Sequence, residues 1–153
     1  MPDDGPTDLP AAAVGAPGTQ SATLGRHTPP LGLVLAVIAL GGVIGSLARY
    51  GLADGFPHAA GSFPWATFAT NVAGCFLIGI LLALLTPLSH PLLRPFLGTG
   101  ILGGFTTFST FAVDTDKLLP HHAVLALTYL FGTLAAALLA AVLGELTITA
   151  VRR

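Results

Sequence analysis

The feature that most constrains the fold of this chain is the length of its uncharged stretches. The longest covers residues 55–93, 39 positions without Asp, Glu, Lys or Arg, and the others cover 31–48, 95–113 and 118–144. A helix needs about 20 apolar residues to cross about 30 Å of hydrocarbon, so these stretches predict four membrane-spanning helices. We place them near residues 31–52, 64–86, 95–119 and 122–149. The short loops between them predict an all-α, up-down bundle in the plasma membrane.

Residues 1–30 have a different composition. This segment holds six of the 12 prolines, four glycines, three acidic residues and no Phe, Tyr or Trp. Such a segment cannot bury enough apolar surface to fold, and it lacks the basic start and continuous apolar stretch of a secretory signal. We therefore predict a disordered cytoplasmic arm over 1–30 and one transmembrane domain over 31–151.

Charged side chains are few throughout, with six Lys or Arg and seven Asp or Glu in 153 residues. No basic run is present, so the sequence gives no electrostatic footprint for nucleic acid. With the amino terminus inside, the basic residues divide into an inner set of Arg26, Arg94, Arg152 and Arg153 and an outer set of Arg49 and Lys117. Because this excess is small, the positive-inside rule only mildly favours cytoplasmic termini.

The third uncharged stretch has an unusual composition. Four glycines lie within seven residues, at Gly98, Gly100, Gly103 and Gly104. Four hydroxyls then lie within five positions, at Thr106, Thr107, Ser109 and Thr110. Both residue types weaken a regular helix, which predicts a break near residues 103–107. Carbonyls freed by a break could hold a small cation such as sodium; alternatively, the small residues only permit close helix contact.

A few side chains elsewhere could meet an anion inside the membrane. Asn71 stands alone in the second stretch, where its amide could donate to an anion or form an interhelical hydrogen bond. Phe108 and Phe111 share a helix face, and their electropositive ring edges could solvate an anion, although such pairs are more often core or lipid-facing. Arg49 ends the first stretch, where it could snorkel to the interface or raise the potential at a pore mouth.

The fourth stretch offers hydroxyls, and no stretch offers a titratable group at depth. Tyr129 and Thr133 are four residues apart and share a face, although Thr133 could bond only to its own helix. Asp114, Asp116 and Glu145 fall near helix ends. Proton-coupled carriers and cation exporters need a buried titratable group, which argues against both. No nucleophile–base pair, metal-binding histidine set or phosphate loop is present, so we predict no catalytic residues and no enzyme.

Four strings resemble the Fluc-type fluoride channels, the CrcB family. They are GGVIGSLARYGL (41–52), WATFATNVAGCFLIGIL (65–81), GGFTTFSTF (103–111) and TYLFGTLAAALL (128–139), in the family's order. The resemblance covers about residues 31–151. It implies an antiparallel dual-topology dimer with two fluoride pathways along the subunit interface, through which F⁻ leaves the cytoplasm passively and its toxicity is lowered.

The resemblance also implies roles for individual residues. It assigns the fluoride pathway to Asn71, Phe108, Phe111, Ser109, Thr110, Tyr129, Thr133 and Arg49. In this assignment Arg49 sits toward an aqueous vestibule. The backbone carbonyls of Gly103 and Thr106 match positions that hold a structural sodium ion, Na⁺, at the dimer centre.

Two other function classes remain open on the residues alone. A small dual-topology multidrug-type exporter would carry a glutamate in the first helix, where this sequence has only apolar residues, Gly and Ser before Arg49. A non-transporting membrane scaffold would explain the glycines as packing but leaves Asn71 and the hydroxyls without a role. The partner implied is a second copy of this chain or a paralogous subunit, because some family members pair two different chains.

Overall fold

The structure, a computed structural model, describes residues 29–86 and 88–152. Its helices are α1 (Leu31–Gly55), α2 (Trp65–Leu84), a π-helix (Arg94–Leu102), α3 (Gly103–Phe105), α4 (Phe108–Leu118) and α5 (Ala123–Val151). Within the described residues four spans are long and apolar enough to cross a membrane, the third being Arg94–Leu118 as a whole. The prediction of four apolar helices is confirmed. Residues 1–28, most of the predicted arm, lie outside the described residues.

The spans lie close to the limits predicted from the uncharged stretches. Each begins within one residue of its predicted start and ends within three residues of its predicted end. The largest difference is in α1, which runs on to Gly55, and the N–H of Phe56 still donates to the Leu52 carbonyl at 3.0 Å. Pro57 follows, and the residue before a proline avoids the helical conformation, which explains why α1 stops there.

The third span is irregular along its length. It begins as a π-helix at Arg94 and keeps that geometry to Leu102. The sequence does not predict this π-helix, whose wide turns are rare in proteins. After α3 the backbone is extended at Thr106 (φ −72°, ψ 157°) and Thr107 (φ −146°, ψ 124°), and α4 then begins at Phe108. Two extended residues therefore separate the helical parts of this span.

The spans pack mainly as two pairs, α2 with α5 and α1 with the third span. A Cβ on Gly41 would lie 2.5 Å from the Phe96 carbonyl oxygen and 3.0 Å from the Gly100 Cα, so glycine is required for this approach. In the other pair, Gly144 lies directly against the Phe76 carbonyl. Small residues at such contacts let membrane helices approach closely enough for their backbones to touch.

The helices α2 and α5 run in the same direction. At one end the ring of Phe63, just before α2, packs edge-on against Tyr129 with centroids 5.3 Å apart, and at the other end Gly79 faces Ala141. The buried apolar cluster consists of Phe111, Leu118, Ala126 and Tyr129. Because this cluster joins α4 to α5, it holds α4 in place directly after the extended residues.

Candidate functional site

The Asn71 side chain, on α2, forms hydrogen bonds with the extended part of the third span. Its Nδ2 donates to the Thr107 carbonyl at 3.0 Å, and its Oδ1 accepts from the Thr107 N–H at 2.8 Å. The Asn71 side chain is buried, so these bonds form away from bulk water. A carboxamide carries two N–H donors, and only one of them is used by Thr107. Asn71 therefore satisfies the Thr107 backbone and still has an N–H for another acceptor.

The Thr107 side chain caps α4. Its Oγ1 accepts from the Thr110 N–H and donates to the Thr110 Oγ1, both at 3.1 Å. The Ser109 hydroxyl lies 3.3 Å from the same Thr107 oxygen. Threonine is a favoured cap because its oxygen satisfies an N–H that the first helical turn leaves without a partner. The predicted site residues Ser109 and Thr110 thus form one hydroxyl cluster with Thr107.

These bonds change the partners of two backbone carbonyls. In an unbroken helix the Gly103 carbonyl would accept from the Thr107 N–H. The Thr106 carbonyl would accept from the Thr110 N–H in the same way. Here the Thr107 N–H donates to Asn71, and the Thr110 N–H donates to the Thr107 Oγ1. The carbonyls of Gly103 and Thr106 are therefore without their helical donors.

Arg49 reaches the third span from α1. Its Nε donates to the Gly104 carbonyl at 3.2 Å, and the Ser46 hydroxyl donates to the same oxygen at 3.4 Å. A hydrogen bond from a charged donor is stronger than a neutral one, which favours a fixed position for the half-buried guanidinium. Arg49 is thus held beside the interruption in the third span.

A groove of about 220 Å³ lies between α2, the third span and α5, and we call it the Asn71 groove. It is lined by Asn71, Cys75, Thr106, Thr107, Phe108, Phe111, Thr133, Leu134 and Ala137. None of these lining residues is Asp, Glu, Lys, Arg or His. The Phe108 and Phe111 ring centroids are 5.9 Å apart, but Phe108 is 79% exposed whereas Phe111 is buried. Four predicted pathway residues, Asn71, Phe108, Phe111 and Thr133, therefore meet in this groove.

A second cavity, also of about 220 Å³, contains the one arginine among the predicted site residues, and we call it the Arg49 cavity. It is lined by Ser46, Arg49, Tyr50, Ala53, Thr67, Thr107 and Thr110. Thr107 lines both this cavity and the Asn71 groove. The hydroxyl cluster consequently lies between a space with a cation and a space lined by uncharged groups.

The hydroxyls of Tyr129 and Thr133 are buried without a hydrogen-bond partner among the described residues. Thr133 is 3% exposed and lines the Asn71 groove. Tyr129 is fully buried and packs against the Phe111 ring, with centroids 5.3 Å apart, so it lies in the core next to the groove. A buried hydroxyl without a partner costs about 1–3 kcal/mol. A polar ligand or water in the groove would remove that cost for Thr133.

Sequence reasoning missed a buried polar pair between α2 and α4. The Thr67 hydroxyl donates to Asp114 Oδ2 at 2.8 Å, and both residues are buried. The sequence places Asp114 near a helix end but does not predict its burial, which results from the packing of α2 over it. The sequence spacing contains a signal for this pair. Asp114 follows Phe111 by three residues, and Thr67 precedes Asn71 by four. Each member of the pair thus shares a helix face with a site residue.

Known proteins match most of this chain. Residues 36–145 match the family described as "CrcB-like protein, Camphor Resistance (CrcB)". The "Fluoride-specific ion channel FluC 2" of Nocardia farcinica is 52% identical over 122 residues, which cover 77% of this chain and 87% of the relative. The protein of the same name from Streptomyces avermitilis is 48% identical over 128 residues, 82% of this chain and 78% of the relative. The "Fluoride-specific ion channel FluC" of Paracoccus denitrificans is 46% identical over 112 residues, 72% of this chain and 90% of the relative.

Proposed function

This chain belongs to the CrcB family, and from that premise we propose that it is a fluoride-selective channel through which F⁻ leaves the cytoplasm passively. The family comprises ion channels and not enzymes, and the chain is a multi-pass protein of the cell membrane. The Asn71 groove is the observation that carries the proposal. Neutral donors from three spans meet there, and the buried Thr133 hydroxyl has no partner among the described residues.

The chemistry of the groove suits fluoride because the ion is small and strongly hydrated. A path must therefore replace its water with other donors. Asn71 offers the N–H that Thr107 does not use, and Thr133 offers its hydroxyl. The rings of Phe108 and Phe111 offer electropositive edges. Each of these groups attracts F⁻ modestly, whereas a full positive charge in the same low-dielectric space would hold it too tightly for release.

In this proposal the Arg49 cavity is the vestibule. The Arg49 guanidinium raises the electrostatic potential beside the hydroxyl cluster, and its bond to the Gly104 carbonyl keeps it at the mouth while the anion moves on. Thr107 and Thr110 line the same cavity, and because the Thr107 hydroxyl donates to Thr110 Oγ1, the Thr110 hydroxyl is the next donor that an entering anion meets. Ser109 contributes through the same cluster, and Tyr129 supports the Phe111 ring from the core.

We infer that the functional unit is an antiparallel dual-topology dimer with one pathway on each side of the interface. Phe108 supports this inference, because its ring is 79% exposed and a second subunit would cover it. The small difference in basic residues between the two ends of the bundle is compatible with insertion in both directions. The second subunit is another copy of this chain or a paralogous chain.

We further propose that the third span contributes ligands to a structural Na⁺ at the dimer centre. The Gly103 and Thr106 carbonyls are suitable ligands because both lack their helical donors. Carbonyl oxygens at a helix interruption are ligands that suit a small, hard cation. The bound ion would neutralise the negative ends of these dipoles. Asn71 and Thr107 keep the carbonyls available by binding the N–H groups that would otherwise satisfy them.

Passive export follows from the acid–base chemistry of fluoride. Neutral HF crosses membranes from an acidic exterior and dissociates in the cytoplasm, where the anion is trapped and reaches a higher concentration than outside. A channel then lets F⁻ leave down its gradient. The described lining of the Asn71 groove has no carboxylate, lysine or histidine to exchange protons during transport, which supports a channel over a coupled carrier.

Efflux from proteoliposomes that contain only the purified chain tests the proposal. A fluoride electrode should record F⁻ release from liposomes loaded with potassium fluoride once valinomycin compensates the charge, and a chloride electrode should record little release from matched liposomes. A multidrug-type exporter would instead move lipophilic cations in exchange for protons, and a scaffold would transport nothing. Absence of F⁻ efflux, or equal efflux of Cl⁻, would contradict the proposal.

A further inference from the structure

A thiol lines the Asn71 groove, and the function proposed above does not use it. Cys75, the chain's only cysteine, is half-buried and shares the groove with Asn71, Thr133 and Ala137. We propose that the Cys75 S–H is a conduction donor that continues the fluoride path past Asn71, at the level where α5 presents only the methyl group of Ala137. The inference rests on the proposed fluoride channel and adds a specific residue to its path.

Helix geometry places the thiol at the next step of the path. Asn71 and Cys75 are four residues apart on α2, and Thr133 and Ala137 are four residues apart on α5, so each pair shares a helix face. Because α2 and α5 run in parallel, one turn along both helices leads from the first residue of each pair to the second. One turn further along the groove, a thiol on α2 thus follows the amide, and a methyl group on α5 follows the hydroxyl.

The buried Thr133 hydroxyl indicates independently that this part of the groove receives a ligand. Thr133 is 3% exposed, and its hydroxyl has no hydrogen-bond partner among the described residues. On α5 the lining consists of Leu134 and Ala137 besides Thr133, and both are apolar. Thr106 lies against Gly74, and its hydroxyl already donates to the Leu102 carbonyl at 3.0 Å. Cys75 is therefore the polar side chain of the described lining that is free to donate one turn beyond Asn71.

A thiol has the properties that such a position needs. It donates a hydrogen bond without carrying a charge, and its donor strength is weaker than that of an amide or a hydroxyl. Its sulfur is polarizable and adapts to an irregular apolar wall. An ion that is bound at several sites must also leave them, so a weak donor after two stronger ones favours onward movement.

The test compares F⁻ efflux from proteoliposomes containing equal amounts of the native full-length chain or a variant. Cys75→Val and Cys75→Ala remove the donor and should each lower efflux about tenfold, as expected when an ion loses one hydrogen bond. Cys75→Ser keeps a donor, although a stronger one, and should retain most of the native efflux. Ala73→Val adds a β-branched residue to the exposed face of α2 and should leave efflux unchanged.

A second-site variant distinguishes conduction from packing. Ala137→Ser places a hydroxyl on the opposite wall of the groove, and it should return the efflux of Cys75→Ala toward the native rate. Native efflux from both Cys75→Val and Cys75→Ala would overturn the inference, as would a Cys75→Ser variant that is as slow as they are. Either result leaves the channel itself in place. If the native chain passes no F⁻, the proposed function fails and this inference is overturned with it.

Discussion

The two spaces that meet at Thr107 have the same volume, about 220 Å³, but differ in electrostatic character. The Arg49 cavity contains a guanidinium held by the Gly104 carbonyl, whereas the described lining of the Asn71 groove is uncharged. Electrostatic attraction grows as the surroundings lose water, so a charge inside the groove would bind an anion far more tightly than the same charge at its mouth. In the proposed channel, this difference assigns the attraction of the anion to the cavity and its transfer to the groove.

The two spaces also draw on different helices. The Arg49 cavity is bounded by α1, α2 and the third span, and its ring Tyr50 is 68% exposed. The Asn71 groove is bounded by α2, the third span and α5, and its ring Phe108 is 79% exposed. In the proposed channel, changes in the groove should affect the transfer of the ion, whereas changes in the cavity should affect its approach.

The largest effect is expected for Asn71→Ala. The variant loses both hydrogen bonds to Thr107 and the spare N–H, so the extended backbone loses its anchor and the path loses a donor. Two bonds of about 1–1.5 kcal/mol each correspond to about 100-fold, and F⁻ efflux should fall by about that factor. Size-exclusion chromatography should show the native oligomeric state. Unchanged efflux would remove Asn71 from the path.

A matched variant tests what the amide nitrogen contributes. Asn71→Asp keeps an oxygen for the Thr107 N–H but replaces the donor by an anionic group, which repels F⁻. Its efflux should be at least as low as that of Asn71→Ala, although more of the backbone anchor is retained. A faster Asp variant would show that Asn71 acts only by holding Thr107.

Phe108→Ile should have the next largest effect, a fall in efflux of about tenfold. The ring edge contributes about as much as an aromatic contact, roughly 0.5–1.5 kcal/mol, and isoleucine has no electropositive edge. Phe131→Ile is the control, because Phe131 is an exposed residue of α5 outside the groove lining. Equal loss in both variants would indicate a general requirement for aromatic residues and would contradict a specific role of Phe108.

Most of the fold could be predicted from the sequence, because the cost of placing charge in hydrocarbon acts on each residue separately. The uncharged stretches alone locate all four spans. The π-helix of Arg94–Leu102, which packs against α1, could not be predicted in this way. Its Gly100 touches Gly41, and a contact between residues so far apart in the chain leaves no local pattern.

The site was predictable where a residue type is unusual in its surroundings. Asn71 is conspicuous because it is an amide in an apolar run, and Ser109 and Thr110 because they belong to a dense group of hydroxyls. The Thr67–Asp114 pair is different, because each member is unremarkable in sequence and only the packing of α2 on α4 buries both. Pairings across helices depend on rotation and register, which an individual segment does not encode.

Arg49→Gln should have a smaller effect that depends on salt. A partly exposed charge contributes up to about 1 kcal/mol, so efflux at low ionic strength should fall about fivefold. At about 1 M of an inert salt, where charges are screened within about 3 Å, the native chain and the variant should converge. Arg49→Lys retains the charge and should stay close to the native rate. A loss that is equal in both variants and independent of salt would instead indicate that Arg49 acts through its bond to Gly104.

The smallest effect is expected when Na⁺ is withdrawn. This experiment tests whether a bound cation adds charge to the wall of the Asn71 groove. Thr106 lines that groove, so a cation bound to its carbonyl would add positive charge at one wall. Replacing Na⁺ by N-methylglucamine should lower the Tm of the purified protein by about 2–4 °C, since a ligand that binds only the folded state stabilises it.

Thr107→Val frees the Thr110 N–H to satisfy the Thr106 carbonyl and should reduce this dependence of the Tm on Na⁺. Thr147→Val, on the exposed end of α5, should preserve it. A native Tm that does not change with Na⁺ would contradict the sodium proposal and leave the hydroxyl cluster as the boundary between the two spaces.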